Sequence, residues 1–493
     1  MPYLFALSGL FLVLVVLNGA FKYFINVYRG QLGERMLRRL RYELYSRVLR
    51  FRLPRFKRMS QGEIIPMITG EVEPLGGFIG DAFSLPAFQG GTLVVYLAFI
   101  FVQSPILGAA AISLYPLQAY LIPKLQKRVN QLGKMRVQNV RRLSDRIGET
   151  VGGTQEIHAH DTVNLQRADF AHRLGIIYTI RYDIYRRKFF IKFLNNFINQ
   201  LIPFFFYSIG GFLVVVEGLT FGALVAVLAA YKDLSSPWRE LLNYYQRVED
   251  SRIKYGQVIE QFQPDDMMPP EQIDVDEAWQ GALPDSLTLA NVQFAEDDAL
   301  PALDGVSITF DTRAHTAVLG DGSSGKDELM MLIARLLVPT GGRIRLGERD
   351  YSELPESVTG RQIAYVGPYS YMFTDSLRAN LYFGLKHRPL AEATYDEAGR
   401  DDRRSRVHEA KASGNTSFDV NADWIDYAAA GAADAPDLQN KALDALTAVD
   451  MAPDVYRMGL SGTIDPAAES QTAEKILKAR RAIRERLQDP KLA

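Results

Sequence analysis

Residues Tyr3 to Tyr28 are almost continuously apolar. Lipid offers a peptide group no hydrogen-bond partner, so a run of this kind crosses a bilayer only as a helix, and it is long enough to do so. It is too long for a signal peptide, and its basic block follows it rather than preceding it. From Arg29 to Arg58, eleven Lys and Arg stand against two acids, Glu34 and Glu43. The positive-inside rule puts that block in the cytoplasm.

Further spans are predicted at Phe83–Gln103, Ile106–Pro123, Phe193–Val216 and Leu219–Leu234. The first two are joined by Ser104-Pro105 and the last two by Glu217-Gly218, connections that leave room only for tight external turns. Lys124 to Lys192 is long, polar and basic, hence cytoplasmic. Charge thus predicts an integral membrane protein with both long loops and the whole C-terminal half inside, and the N-terminus outside. Five spans with an external N-terminus suggest a six-span unit that lacks its first helix. Few breakers interrupt the helical patterns of the loops, so the spans should continue below the membrane. Turns near Leu53-Pro54 and Gly152-Gly153 leave room for short crossing helices at the tips, which would dock on a cytoplasmic domain. Polar residues Asn195, Asn196, Asn199 and Gln200 lie near one helical face, where they can line a cavity or bond a neighbouring helix. Lys22 and Glu217 are the exceptional charges of the spans.

Ser235-Ser236-Pro237 is expected to end the last span, with a polar helix from Trp238 to Gln261 after it. Gln263 to Pro284, with Pro264, Asp265, Asp266, Pro269 and Pro270, reads as an acidic linker. Beyond Ser286 the pattern changes to strands at Leu287–Phe294, Val306–Phe310, Thr316–Leu319, Arg343–Leu346 and Ile363–Val366, with helices between them. That is an α/β pattern. Its most informative stretch is Thr316 to Leu337. An apolar run predicts a buried parallel strand, a glycine-rich turn follows, and Leu329, Met330, Leu332, Ile333, Leu336 and Leu337 recur at helical spacing. Strand, Gly-x-x-x-x-Gly-Lys and helix make a phosphate-binding loop. Its candidate residues are Gly320, Asp321, Gly322, Ser323, Ser324, Gly325, Lys326 and Asp327. Glycines let backbone N–H groups converge on phosphate, and the lysine adds a point charge. The position after the lysine calls for a Ser or Thr hydroxyl on Mg²⁺. Asp327 stands there; a carboxylate can ligate Mg²⁺, yet it sets negative charge beside the phosphates.

The chain of 493 residues has room for two or three domains. A formal net charge of −1 gives no reason to expect a nucleic-acid partner. The absence of cysteine excludes disulfides, zinc–thiolate sites and thiol nucleophiles. His158 and His160 share a segment without metal-ligand spacing. No internal repeat is present. Glu392 to Asp437 is acidic and alanine-rich, and predicts a solvated, partly disordered insertion; Lys441–Val449 and Thr472–Leu487 read as helices. The domain reading is therefore residues 1–262 membrane domain, 263–285 linker, 286–389 nucleotide-binding region, 390–440 insertion and 441–493 helical segment.

The whole arrangement resembles an ATP-binding cassette (ABC) exporter half-transporter. Leu289 to Phe294 and Ala302 to Ile308 look like the opening strands of its cassette. Gly320–Lys326 matches its P-loop, Pro339 to Ile344 the strand that follows, and Tyr371 to Leu381 the loop that couples nucleotide to membrane. Arg29–Asp81 and Lys124–Lys192 resemble its two intracellular loops. The resemblance implies an all-α transmembrane domain followed by an α/β P-loop NTPase-like domain, ATP and Mg²⁺ as cofactors, and a homo- or heterodimer. It also implies ATP-coupled export of an unknown substrate, with the protein in a bacterial inner membrane and its cassette in the cytoplasm. The departures imply a degenerate cassette. Glu296 occupies the position of the adenine-stacking aromatic. Ser323 replaces a P-loop glycine, and Pro368 replaces the glutamine that touches Mg²⁺ and the attacking water. Leu460-Ser461-Gly462-Thr463 reads either as a signature remnant or as a helix-linking turn. Arg481 to Leu492 only faintly resembles the helix before the catalytic strand, and no catalytic carboxylates follow it. Three readings stay open: a transporter subunit, an inactive partner or membrane scaffold, and a fragment of a longer exporter.

Overall fold

The computed structural model describes residues 2–487 apart from 60, 217, 265, 276–283, 297–299, 369 and 468. Glu217 of the second external turn, Asp265 and part of the linker, and the end of the Arg481–Leu492 stretch lie outside the described residues. The chain forms two compact units. One comprises Met1–Tyr365 with Asp402–Ser417, the other Val366–Asp401 with Phe418–Ala493. The division falls inside the nucleotide-binding region rather than at the linker.

Among the described residues four helices are long and apolar enough to cross a membrane: Pro2–Leu49, Ser84–Gln103, Pro105–Gly152 and Val163–Val215. None of the span window of Pro2–Leu49 is buried within the protein, so its Leu, Val and Phe side chains are available to lipid. The fifth expected span is different. Leu219–Leu234 is the apolar head of a continuous helix, Phe221–Phe262, and charges at Lys232 and Asp233 cut it below spanning length. Pro237 does not end that helix. It lies buried within it, beside Trp238, whose ring stacks on Tyr115 at 4.3 Å. Tertiary packing here outweighs the one backbone hydrogen bond that proline removes.

The turns of the two long loops fall where the breakers predict. Leu53–Arg58 forms a short elbow helix after the first span helix, and Thr154–Ala159 forms one between the two long helices of the second loop. Those long helices pack through a seam on which Ile180, Ile184, Ile191, Ile198 and Ile202 are buried. Steps of four and seven residues keep one face toward the partner, as in a coiled coil. At the loop's far end Asp169 accepts from Arg146 at 3.0 Å and from Arg173 at 2.9 Å. The hydrogen bond from Arg173, more than any other contact, holds its carboxyl below the usual carboxylate range.

At the membrane base three helices meet on one carboxylate. Asp81 accepts from Arg29 Nε at 3.0 Å and from Arg247 Nη1 at 2.7 Å. The first helix and Glu73–Asp81 approach so closely there that backbone meets backbone. A Cβ on Gly76 would stand 2.7 Å from Leu37 Cβ, and one on Gly80 2.7 Å from the Arg29 carbonyl oxygen. Small residues one turn apart permit that approach.

Beyond the linker, β1 (Ser286–Phe294) pairs antiparallel with β2 (Leu303–Asp311) and with β3 (Gly341–Leu346), and β3 pairs with β4 (Arg349–Asp350), giving the order β2-β1-β3-β4. Leu289, Val292 and Ile344 form one face, on which Leu329 and Leu332 of the helix Lys326–Ile333 pack, with Leu354 and Val358 completing the core. Two expected strands are not strands. Thr316–Leu319 and Ile363–Val366 are irregular, and Leu319 is 92% exposed. Such segments belong at the centre of a parallel sheet, where both faces are covered. Among the described residues no parallel strand pairs with them, and every ladder is antiparallel.

In the second unit β5 (Lys386–Ala391) pairs with β6 (Asp423–Ile425). The acidic stretch is more regular than its composition suggests, because Glu397–Ala412 is a helix. Trp424 Nε1 donates to the Asp419 carbonyl at 2.8 Å, and Tyr395 Oη donates to the Asp419 carboxylate at 2.7 Å. Further helices cover Ala435–Ala448, Ala452–Ser461 and Ser470–Leu487.

The glycine contact yields a paired test. Gly76→Ala drives a methyl into Leu37 and should cost about 1–3 kcal/mol. Gly77→Ala, next along the same helix with nothing within 4 Å of its added Cβ, should be neutral or stabilising by about 1 kcal/mol. Thermal unfolding in detergent reads both, and equal shifts would mean that the close approach does not hold the helices together.

Candidate nucleotide site

The glycine-rich turn enters the helix Lys326–Ile333 through Gly325, whose φ of 78° is left-handed. Only glycine suits this position, because a Cβ would stand 2.3 Å from the Ala302 carbonyl oxygen. Within the turn, Ser324 N donates to the Asp321 carbonyl at 3.2 Å, and Ser324 Oγ donates to the same oxygen at 2.8 Å. Gly320 to Ser324 are exposed, and Gly325 is buried against the sheet. The loop therefore stands over an open helix N-terminus, which favours an anion.

Two features oppose that anion. Lys326 Nζ donates to the Asp321 carbonyl at 2.8 Å, so the lysine closes onto its own loop. Asp327 and Glu328 both lie in the first helical turn. They complement the helix dipole but place two carboxylates where a phosphate would be bound. The motif drew attention to Asp327 alone. Glu328 was readable from its place two residues after the lysine. Among the described residues no group of three or more His, Asp or Glu could hold a metal by itself, and at the loop Asp327 stands in the place of the Mg²⁺ hydroxyl. The loop's donor set is one for an anion. It fits a phosphate in part, through the loop's backbone and Lys326.

Glu296, at the adenine-stacking position, is engaged elsewhere. Its carboxylate accepts from Lys57 Nζ at 2.9 Å, and Lys57 belongs to the elbow helix Leu53–Arg58. That elbow is fixed on its other sides too. Arg50 Nε donates to the Met268 carbonyl at 2.8 Å, Met268 N donates back to the Arg50 carbonyl at 3.0 Å, and Arg55 Nη2 reaches the Gln261 carbonyl at 3.2 Å. Phe51 packs on Phe262 with ring centroids 6.1 Å apart. Between elbow, linker and sheet domain lies a cavity of about 320 Å³, lined by Phe51, Leu53, Met268, Arg335, Tyr351 and Glu356 among others. Burial holds the Arg335 guanidinium below its ordinary range. Burial also raises the Glu356 carboxyl, with Arg335 opposing the shift.

The remaining expected positions lie in the second unit. Pro368 is exposed in an irregular segment. After it, Asn380 receives the Phe373 amide on Oδ1 at 2.9 Å, and Phe373 stacks on Phe383 with centroids 4.8 Å apart. Leu460 and Ser461 close the helix Ala452–Ser461, Gly462 is its C-cap, and Thr463 follows. The asparagine face divides between its two possible uses. Gln118 Nε2, fully buried, donates to Asn199 Oδ1 at 2.9 Å, a helix–helix bond. Asn195 and Asn196 line a cavity of about 480 Å³. Lys22 lies 5.5 Å from the Phe88 ring centroid.

Comparison with known proteins bears on the helical half directly. Residues 3–236 match the family described as ABC transporter transmembrane region. The helical half thus resembles the membrane domain of an ABC transporter. An ATP-dependent lipid A-core flippase of Syntrophus aciditrophicus (strain SB) is 24% identical over 379 residues, covering 76% of this chain and 61% of the relative. An uncharacterized ABC transporter ATP-binding protein of Bacillus subtilis (strain 168) is 20% identical over 375 residues, 76% of this chain and 62% of the relative. A second lipid A-core flippase, from Methylococcus capsulatus (strain ATCC 33009 / NCIMB 11132 / Bath), is 23% identical over 400 residues, 78% and 63% respectively. The chain spans a little over three-fifths of the length of these curated relatives. It is an integral membrane protein.

The Glu356 carboxyl gives a pH dependence of defined sign. A folded-state value raised above the ordinary 4.5 means that the folded chain holds a proton which the unfolded chain has lost. Stability therefore falls as pH rises from about 4.5 through the raised value. Glu356→Gln should remove that fall, so the melting temperature of the variant gains on the parent between acid and neutral pH. A constant difference across the range would place Glu356 in water.

Proposed function

We propose that this chain is an exporter subunit that moves an unassigned substrate across a bacterial inner membrane, in a homo- or heterodimer whose ATP turnover depends on more than this chain's own site. The match of residues 3–236 to the ABC transporter transmembrane region, with a P-loop following in the same chain, carries the reading. Relatives named as lipid A-core flippases and ATP-binding transporters support export and ATP use. The block of eleven cations after the first span supports a cytoplasmic cassette.

The nucleotide part follows from the loop. ATP would be held by the backbone N–H groups of Gly320–Gly325 and by Lys326 once its ammonium leaves the Asp321 carbonyl. When bound, ATP supplies a transferable phosphoryl group. The chain's own residues would bind and orient its phosphates, while Asp327 and Glu328 weaken that binding. Glu296 contributes no stacking surface, and Pro368 offers neither a donor nor an acceptor side chain for water. The specific observation favouring an inactive partner over a self-sufficient pump is this combination of two first-turn carboxylates and a lysine tied to its own loop.

Two measurements test the reading. Asp327→Ser removes a charge beside the phosphates and should tighten ATP binding by about 1 kcal/mol, roughly fivefold. Unchanged or weaker binding in a titration would make Asp327 a working ligand. Phosphate release from the purified chain in nanodiscs should be no faster than from a Lys326→Ala control. Robust release that the control abolishes would overturn the inactive assignment, because hydrolysis needs metal, water and phosphoryl group all positioned.

A further inference from the structure

We propose that the cavity between elbow, linker and sheet domain binds a small organic carboxylate with an apolar body, held through Arg52 and Arg335. The cavity, about 320 Å³, has room for a ligand of about a dozen non-hydrogen atoms. Arg52 precedes the elbow helix, Arg335 follows the helix Lys326–Ile333, and both line the cavity. Nε of Arg52 and Nη1 of Arg335 are buried without a hydrogen-bond partner. A buried charged donor left unpaired is costly. Arg335 Nη2 reaches only a neutral acceptor, the Ser352 carbonyl, at 3.2 Å. Asp350 and Glu356 are the acids of the lining. The Asp350 carboxylate accepts from Ser352 N at 2.9 Å and from Ser352 Oγ at 2.6 Å. Among the described residues neither acid forms an ion pair with Arg52 or Arg335. Arg335, held down mainly by burial, also feels Arg52 as a like charge. An anion between the two guanidiniums relieves that repulsion, and its two oxygens answer the two unpaired donors.

The backbone at Arg335 points the same way. Leu336 N donates to the Met331 carbonyl at 2.8 Å, and Arg335 N donates to the Leu332 carbonyl at 3.1 Å. That pair of bonds closes a helix over one left-handed residue, most often glycine. Arg335 takes the position instead, with φ at 60°. A residue with a Cβ is strained there, and the strain falls on the same residue whose buried donor lacks a partner, a combination found at ligand sites. The rim supplies the apolar part. Leu53, Phe56, Leu336 and Val338 line the cavity and are 37–42% exposed. Water alone would answer the two donors but leave those side chains wetted. A carboxylate with an aryl or alkyl body answers the donors and covers the side chains together.

The test reads equilibrium binding without nucleotide, so its outcome and that of the ATP measurements above are independent. The full chain in nanodiscs is dialysed to equilibrium against hydrocinnamate, its neutral amide hydrocinnamamide, or acetate, with uptake by empty nanodiscs subtracted. Hydrocinnamate should bind about tenfold tighter than the amide, which lacks the charge. It should also bind about tenfold tighter than acetate, which lacks the apolar body. Arg335→Gly removes the guanidinium while easing the left-handed backbone, and it should abolish the preference for acid over amide. Arg52→Gln should reduce that preference about threefold, and it keeps the proposal testable should the glycine variant fold poorly. Equal affinity for acid and amide, or an unchanged preference in either variant, would overturn the proposal. Acetate binding as tightly as hydrocinnamate would also overturn it, because the cavity would then hold a small anion and no apolar body.

Discussion

Lipid cannot hydrogen-bond a peptide group, and that single restriction shapes most of this chain. Every backbone donor inside the bilayer must find its acceptor within its own helix. The helices, once formed, do not stop at the membrane surface. The Phe221–Phe262 helix runs through Pro237 and onward to the linker, and Val163–Phe205 extends as one rod from the tip of the second loop into the apolar region. Rods of this kind carry displacement over distance with little loss. The interactions that set their spacing sit at the membrane base, where glycines allow contact and Asp81 gathers Arg29 and Arg247.

The contact between the elbow helix and the sheet domain depends on those rods. The Arg50 side chain donates to the Met268 carbonyl and the Met268 amide donates to the Arg50 carbonyl, so the linker is docked on the membrane loop rather than free to swing. Beneath it lies a cavity with a desolvated Arg335 and a desolvated Glu356. Most cassette-side groups in this contact are side chains on short turns. Small rearrangements of those turns can therefore be read by the long helices without any change in the sheet.

The spans, the elbow turns and strands β1 to β3 were legible in the sequence because their signals are local: an apolar run, a breaker, an alternation. Thr316–Leu319 and Ile363–Val366 were not, because a central parallel strand is stabilised by neighbours and covering helices that its own residues do not encode. Pro237 misled for the converse reason, since a breaker signal was overruled by burial of Trp238 and Tyr115. The stretch from Glu392 to Asp437 is poor in large apolar residues yet forms a helix and a strand, tied by polar contacts such as Trp424 to Asp419. At the candidate site the motif fixed the glycines and the lysine. The closure of Lys326 onto Asp321 and the engagement of Glu296 by Lys57 needed coordinates, because both partners lie beyond any sequence spacing that signals a contact.

The ion pair between Lys57 and Glu296 joins the elbow helix to the sheet domain. An exposed pair of this kind contributes less than about 1 kcal/mol, too little to matter for folding. It nevertheless couples two residues that would otherwise vary independently. An aromatic ring at position 296 would leave the elbow lysine without its counter-charge. A change at position 57 alone would leave the Glu296 carboxylate without its partner. The pair thus ties the side chain at position 296 to the elbow at position 57, so that a substitution at either one alters the surroundings of the other.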